Sequence, residues 1–186
     1  MSGIPERIAI AGAGVSGAWL YRALTAQGRS VDIYEDGRKG TACGIHSCAW
    51  GVGHEFFPLV RSVGLEPETY VTNRIHTVIF GGRHLPADQL FLIDKPGLIE
   101  DLLSGAEIVH GRIPKNRYDR ILDCSGAARA CLPPTRDPDL ICSTVQYRAR
   151  IPAHPNDTIV FTFGPVGGAW LFPLGDGTSH LGSACL

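Results

Sequence analysis

Apolar residues run without a break from Ile8 to Ala11, give way to glycines at 12, 14 and 17, and resume at helical spacing through Trp19, Leu20, Ala23 and Leu24. That change of period predicts a buried strand turning into a helix over Ala18–Gln27 that Gly28 ends. Ser30–Glu35 then alternates, with Val31 and Ile33 on one face, as a second strand. Further on, Glu55–Val63 has the pattern of a short helix, and Thr77–Phe80 that of a strand turning at Gly81-Gly82 with His84-Leu85 returning. Pro96–Leu103, with Leu98, Ile99, Leu102 and Leu103 on one face and Asp94 as a cap, predicts another helix. Arg120–Cys124 is a short buried strand opening onto Ser125-Gly126. Thr144–Arg150 and Thr158–Phe163 alternate as strands, and Trp170–Pro173 and Leu181–Ala184 flank the turn Gly175-Asp176-Gly177. Helices fall in the first two thirds and antiparallel strands near the end.

The opening segment carries a specific chemistry. Gly12 permits a tight turn, Gly14 lets the backbone approach a pyrophosphate, and Gly17 lets the helix pack close to the strand. The amides of Val15, Ser16 and Gly17 then face the phosphates. Glu35, closing the second strand, is placed to accept both ribose hydroxyls of an adenosine, with Asp36 as the neighbouring alternative. A carboxylate there repels a 2′-phosphate, which favours FAD or NAD over NADP.

Composition narrows the setting. The chain has 186 residues, 44% of them hydrophobic, and a formal charge of −1, which gives no electrostatic case for nucleic acid. No apolar run approaches the roughly 18 residues of a membrane helix and no amino-terminal signal is visible, so the expectation is a cytoplasmic protein. Six cysteines at irregular spacings are expected to be reduced and structural. Cys43, His46 and Cys48 lack a fourth partner at metal-ligand spacing, so no metal is expected. None of the histidines stands in a Ser/His/Asp or His-x-x-x-His arrangement, and none is assigned a catalytic role.

Together, the glycine triplet with Glu35, the Cys43-Gly44 pair, Asp123-Cys124-Ser125-Gly126, and the tail from Pro165 through Gly167, Gly168, Trp170, Phe172 and Pro173 to Gly182 resemble the geranylgeranyl reductase family of FAD flavoproteins. That family is related to the p-hydroxybenzoate hydroxylase fold. The resemblance implies an α/β architecture, a Rossmann-like FAD-binding domain with a parallel sheet plus a smaller antiparallel β-rich substrate domain. Residues 1–55 and 86–132 would form the first, and 56–85 and 133–186 the second. It implies saturation of prenyl-chain double bonds by hydride from reduced FAD, a lipid or prenyl substrate, an unidentified electron donor and peripheral membrane contact. By family position, Cys43 and Gly44 would lie near the flavin ring. Lys95, Ile113, Ser125 and Gly126 would meet other parts of the cofactor, and Trp170, Phe172 and Pro173 would line an apolar substrate pocket. The same three residue types also suit the core of a curved sheet.

This chain also departs from the family. Gly168 stands where the pattern has tyrosine, Lys95 where it has arginine, and Gly182-Ser183-Ala184 where it closes on Gly-x-Gly. Between Ala106 and Tyr118 a long hairpin is compressed. The family's downstream Gly-Asp motif has no counterpart, because Gly175-Asp176 reads as a hairpin turn, so the fold is expected to be incomplete at its C-terminus. The alternatives are a monooxygenase or halogenase of the same superfamily, or a non-catalytic nucleotide-binding module.

Overall fold

The computed structural model describes residues 6–36, 48–133, 136 and 142–185. In chain order the elements are β1 (Arg7–Ala11), α1 (Val15–Ala26), β2 (Ser30–Glu35), β3 (Gly51–Val52), α2 (Phe56–Arg61), β4 (Val71–Phe80), β5 (Arg83–Ile93), α3 (Lys95–Leu102), β6 (Ile108–His110), β7 (Arg120–Asp123), β8 (Ser143–Ala149), β9 (Thr158–Gly164), β10 (Gly167–Pro173) and β11 (Ser179–Cys185). They form a parallel sheet and a larger curled, mostly antiparallel sheet, the α/β class expected from the sequence. Two compact units result, one from 1–46, 60–65 and 95–136, the other from 47–59, 66–94 and 137–186.

In the first unit four parallel strands lie in the order β6-β2-β1-β7. Helix α1 connects β1 to β2, whose register pairs Ile10 with Ile33. One face of the sheet is apolar: Ile10, Ala13 and Ile33 are buried, with Leu20, Tyr21 and Leu24 of α1 and Leu103, Ala106, Ile108 and Leu122 packed around them. Arg22 ties α1 to the end of α3 through the Asp101 carbonyl at 2.8 Å. Helix α1 starts at Val15, earlier than the apolar spacing indicated, with Val15 and Ser16 exposed and Gly17 and Ala18 buried. Strand β7 is half-buried, where the sequence suggested a fully buried one, since it is the sheet's edge.

The link from β6 to β7 must cross from one edge of the sheet to the other, and it carries Tyr118 to the face opposite the helices. The Tyr118 hydroxyl donates to Asp32 Oδ2 at 2.5 Å and lies 2.7 Å from the Tyr34 hydroxyl. Burial pushes this phenol's pKa up, and the bonds to Asp32 and Tyr34 add to it. The Arg7 guanidinium sits 5.3 Å from the Tyr118 ring centroid. A compressed connection thus closes this face with a tyrosine pair.

The second unit is a seven-stranded sheet in the order β3-β5-β4-β9-β10-β11-β8. All its pairs are antiparallel except β4 with β9, where Phe80 lies beside Phe161. Strands β4 and β5 extend well beyond the expected hairpin, and β5 carries residues 86–93, read from sequence as part of the dinucleotide half, into this sheet. Pro86 interrupts the strand pattern there and sits beside a register shift, where a missing N–H costs little. Ile75, Leu92, Ile159, Phe172 and Leu174 form the buried cluster of this unit.

Candidate functional site

The glycine turn stands at the C-terminal end of β1. Gly12 has φ +100, and a Cβ there would lie 2.6 Å from the Cys124 carbonyl oxygen, so only glycine lets the turn pass under the second loop. A Cβ on Gly17 would fall 1.9 Å from the Gly12 carbonyl oxygen, so α1 can leave the turn at this angle only with glycine in its first turn. Gly14 is the N-cap, extended at φ −71 and ψ −177, and no atom lies within 4 Å of where its Cβ would be. No side chain caps α1 and no acidic residue occupies its first turn. Gly14, Val15 and Ser16 are exposed, so the positive end of the helix faces open space that an anion can enter.

Glu35 reaches this mouth. The Ala13 amide donates to Glu35 Oε2 at 3.0 Å, which anchors the carboxylate across the entrance to the turn. Asp36 follows β2 and is exposed.

The second loop is built around one carboxylate. Asp123 Oδ1 accepts from the Ser125 amide at 3.0 Å and the Ser125 hydroxyl at 2.5 Å. Its Oδ2 accepts from the amides of Cys131 at 2.7 Å and Leu132 at 3.0 Å. Burial pushes the Asp123 carboxyl up, but these bonds outweigh burial and hold it below the ordinary carboxylate range. Ser125 Oγ in turn accepts from the Ala130 amide at 2.7 Å. Gly126 follows at φ +63, exposed beside the turn. Burial pushes the half-buried Cys124 and Cys131 thiols up, and Cys124 packs against the apolar cluster of the parallel sheet.

Gly12, Gly14, Val15, Ser16, Gly17, Glu35, Ser125 and Gly126 therefore gather at one end of the parallel sheet. Lys95 is buried at the start of α3, which precedes a strand parallel to β2 as α1 does, so both helices begin at that end. Ile113 is half-buried in the β6–β7 link. Cys43, Gly44 and His46 lie outside the described residues. Among the described residues no group of three metal-ligating side chains comes together.

On the antiparallel sheet the three expected lining residues separate. Trp170 is half-buried, Phe172 belongs to the core, and Pro173 is fully buried with its carbonyl accepting from Asn73 Nδ2 at 2.8 Å. Phe172 and Pro173 are thus interior rather than an open lining. Gly175-Asp176 is a hairpin turn, held by the Thr178 amide and hydroxyl on Asp176 Oδ1 at 2.9 and 2.5 Å and by Arg148 on Oδ2. Gln146 and His180 lie on the same face as Trp170.

No protein-family model matches the chain, and no curated protein does. Solved structures do. MibH, a tryptophan 5-halogenase, superposes with a TM-score of 0.72 at 14% identity over 100% of this chain and 53% of its own. HpxO of Klebsiella pneumoniae, in complex with FAD, gives 0.69 at 14% over 97% and 57%. PqsL of Pseudomonas aeruginosa, a probable FAD-dependent monooxygenase, gives 0.65 at 15% over 98% and 61%. The fold is that of FAD-binding flavoproteins, and the chain spans between about half and three fifths of these structures' length.

Proposed function

We propose that this chain binds FAD by its adenosine diphosphate half and belongs to a flavin-dependent oxidoreductase. The observation that carries the reading is the Glu35 carboxylate fixed on the Ala13 amide at the mouth of an uncapped, glycine-lined helix start. The first-turn amides of α1 hold the pyrophosphate, and Glu35 accepts from the ribose hydroxyls. The Asp123-ordered loop supports the turn, since Gly12 packs directly on the Cys124 carbonyl. When bound, FAD supplies two-electron transfer to an organic substrate.

Two finer readings follow. The tail motif around Trp170 favours reduction of prenyl double bonds. The likeness to a halogenase and a probable monooxygenase favours an oxygen-using reaction at least as well. The test begins with flavin absorbance in protein reconstituted with FAD and freed of excess. Stoichiometric retention supports the cofactor, and its absence overturns the proposal. Oxygen consumption by the reduced protein, set against anaerobic prenyl reduction, then separates the two chemistries.

A further inference from the structure

The three most exposed large hydrophobic side chains among the described residues, Val166 (74%), Tyr147 (67%) and Phe163 (62%), belong to one end of the second unit's sheet, where Phe80 and Val145 are half-exposed as well. Two glycine hairpins build that end. Strands β4 and β5 turn at Gly81-Gly82, where φ is +55 and +83, and β9 and β10 turn between Gly164 and Gly167. The Gly81 amide donates to the Phe161 carbonyl at 3.1 Å, and the Phe80 and Phe163 ring centroids lie 4.9 Å apart, so the two turns stand side by side. Gly167 pairs with Cys185 and Cys185 with Ser143, which brings the end of β11 and the start of β8 to the same place.

Both faces there are apolar. Phe80, Phe161, Trp170, Gly182 and Gln146 form one row across the strands, so Phe80 and Phe163 emerge on one face and Val145 and Tyr147, the neighbours of Gln146, on the other. Charge is polarised along the strands. Residues 77–86, 143–147, 159–171 and 181–185 contain Arg83 as their only formally charged side chain, whereas Asp157 and Asp176 stand at the opposite end, before β9 and after β10. Arg83 pairs with Phe80, whose row lies three residue steps, ~10 Å, behind the β9–β10 turn.

A folded partner or a second copy seated on either face would leave the apolar residues of the other in water, whereas a fluid apolar layer surrounds the whole end. An end free of carboxylates, with its one cation set ~10 Å behind the tip, matches an anionic bilayer, where apolar groups reach about 5–10 Å below charged headgroups. We propose that this end of the sheet enters the interfacial layer of an anionic lipid membrane. Val166, Phe163 and Val145 reach the acyl boundary, Phe80 packs behind them, and Arg83 and Tyr147 stand among the headgroups. The surface lies wholly within the second unit and does not depend on flavin binding.

Flotation of the whole chain with vesicles of phosphatidylcholine alone, or mixed equally with phosphatidylglycerol, tests the proposal. Binding to the mixed vesicles is expected, about fivefold weaker to the neutral ones. Phe163→Ser with Val166→Ser should weaken it about tenfold or more, while Leu59→Ser, which removes an exposed apolar side chain from α2, should not. Arg83→Gln should abolish the preference for phosphatidylglycerol. Every replaced side chain is exposed, so circular dichroism of the variants should match the parent. Val166→Trp supplies a reporter whose emission should shift to the blue on binding and be quenched more by lipids brominated near the headgroup than by those brominated near the chain end. No binding to either vesicle, binding that the double substitution leaves intact, or reporter emission that vesicles do not move would overturn the proposal. So would self-association that the double substitution abolishes in place of vesicle binding, which would assign this end to a second copy.

Discussion

The glycine turn of the parallel sheet and the aromatic face of the antiparallel sheet are built in opposite ways. The turn uses main-chain amides and one carboxylate, and side chains are kept out: a Cβ at Gly17 has 1.9 Å of room and one at Gly12 has 2.6 Å. The sheet face is made of side chains drawn from β8, β10, β11 and the segment before β3, and Gly182 leaves the room that the Trp170 indole fills. A backbone site is fixed by local spacing and tolerates almost any neighbour. The side-chain face is fixed by ladder register.

The contrast breaks most sharply at Gly17. Gly17→Val should cost about 3 kcal/mol or more by forcing α1 off the turn, read as a lowered denaturation midpoint. An unchanged midpoint would mean that the helix start is not pinned as described. Gly182→Ala should cost about 1–3 kcal/mol as the Trp170 indole is displaced from Gln146, with a red-shifted tryptophan emission. Valine adds three carbons and alanine one, but Gly17→Ala should also cost more than Gly182→Ala, because backbone must give at the first site and a side chain at the second.

Acid separates the regions in another way. Asp123 has its pKa lowered in the folded state, so the stability it contributes is full above the ordinary carboxylate value and is lost as pH falls through the folded value. His180 is also lowered, so its folded ring resists protonation while the unfolded one accepts it below its ordinary value of 6.5. Stability should therefore decline first below about pH 6.5 from His180 and again in the carboxylate range from Asp123. Asp123→Asn should shrink the second limb, leaving the part from Asp176, whose carboxyl is also held low by Thr178 and Arg148, and denaturation midpoints across pH will show whether it does. The smallest effect is expected at Arg148→Ala. Its pair with Asp176 is half-exposed at both ends, and such pairs contribute about 0–1 kcal/mol.

The two regions also differ in how much of them the sequence reveals. The turn, α1, β2 and Glu35 are contiguous, so hydrophobic period and glycine spacing were enough to place them. The full length of the hairpin β4–β5 is not legible in the sequence because Pro86, Asp88 and Gln89 interrupt its alternation, and that length comes with pairing to β9 and β3. Strand β6 has three residues and no pattern of its own. Tyr118 meets Tyr34 and Asp32 across 84 and 86 residues, a juxtaposition only the β6–β7 crossing creates. Phe172 and Pro173 had the composition of a lining but are interior, Phe172 within the apolar cluster and Pro173 with its carbonyl bonded by Asn73. Gln146 and Trp170 are 24 residues apart, and nothing local marks them as partners.

The central claim is that Glu35 and the glycine turn hold an adenosine diphosphate group. Calorimetric titration of the chain with ADP-ribose, its 2′-phosphorylated counterpart, and ADP-ribose against Glu35→Gln tests it most directly. The account predicts saturable binding of ADP-ribose, weakened about tenfold by the 2′-phosphate and by a similar factor in Glu35→Gln. Binding that ignores both changes, or no binding at all, would contradict it.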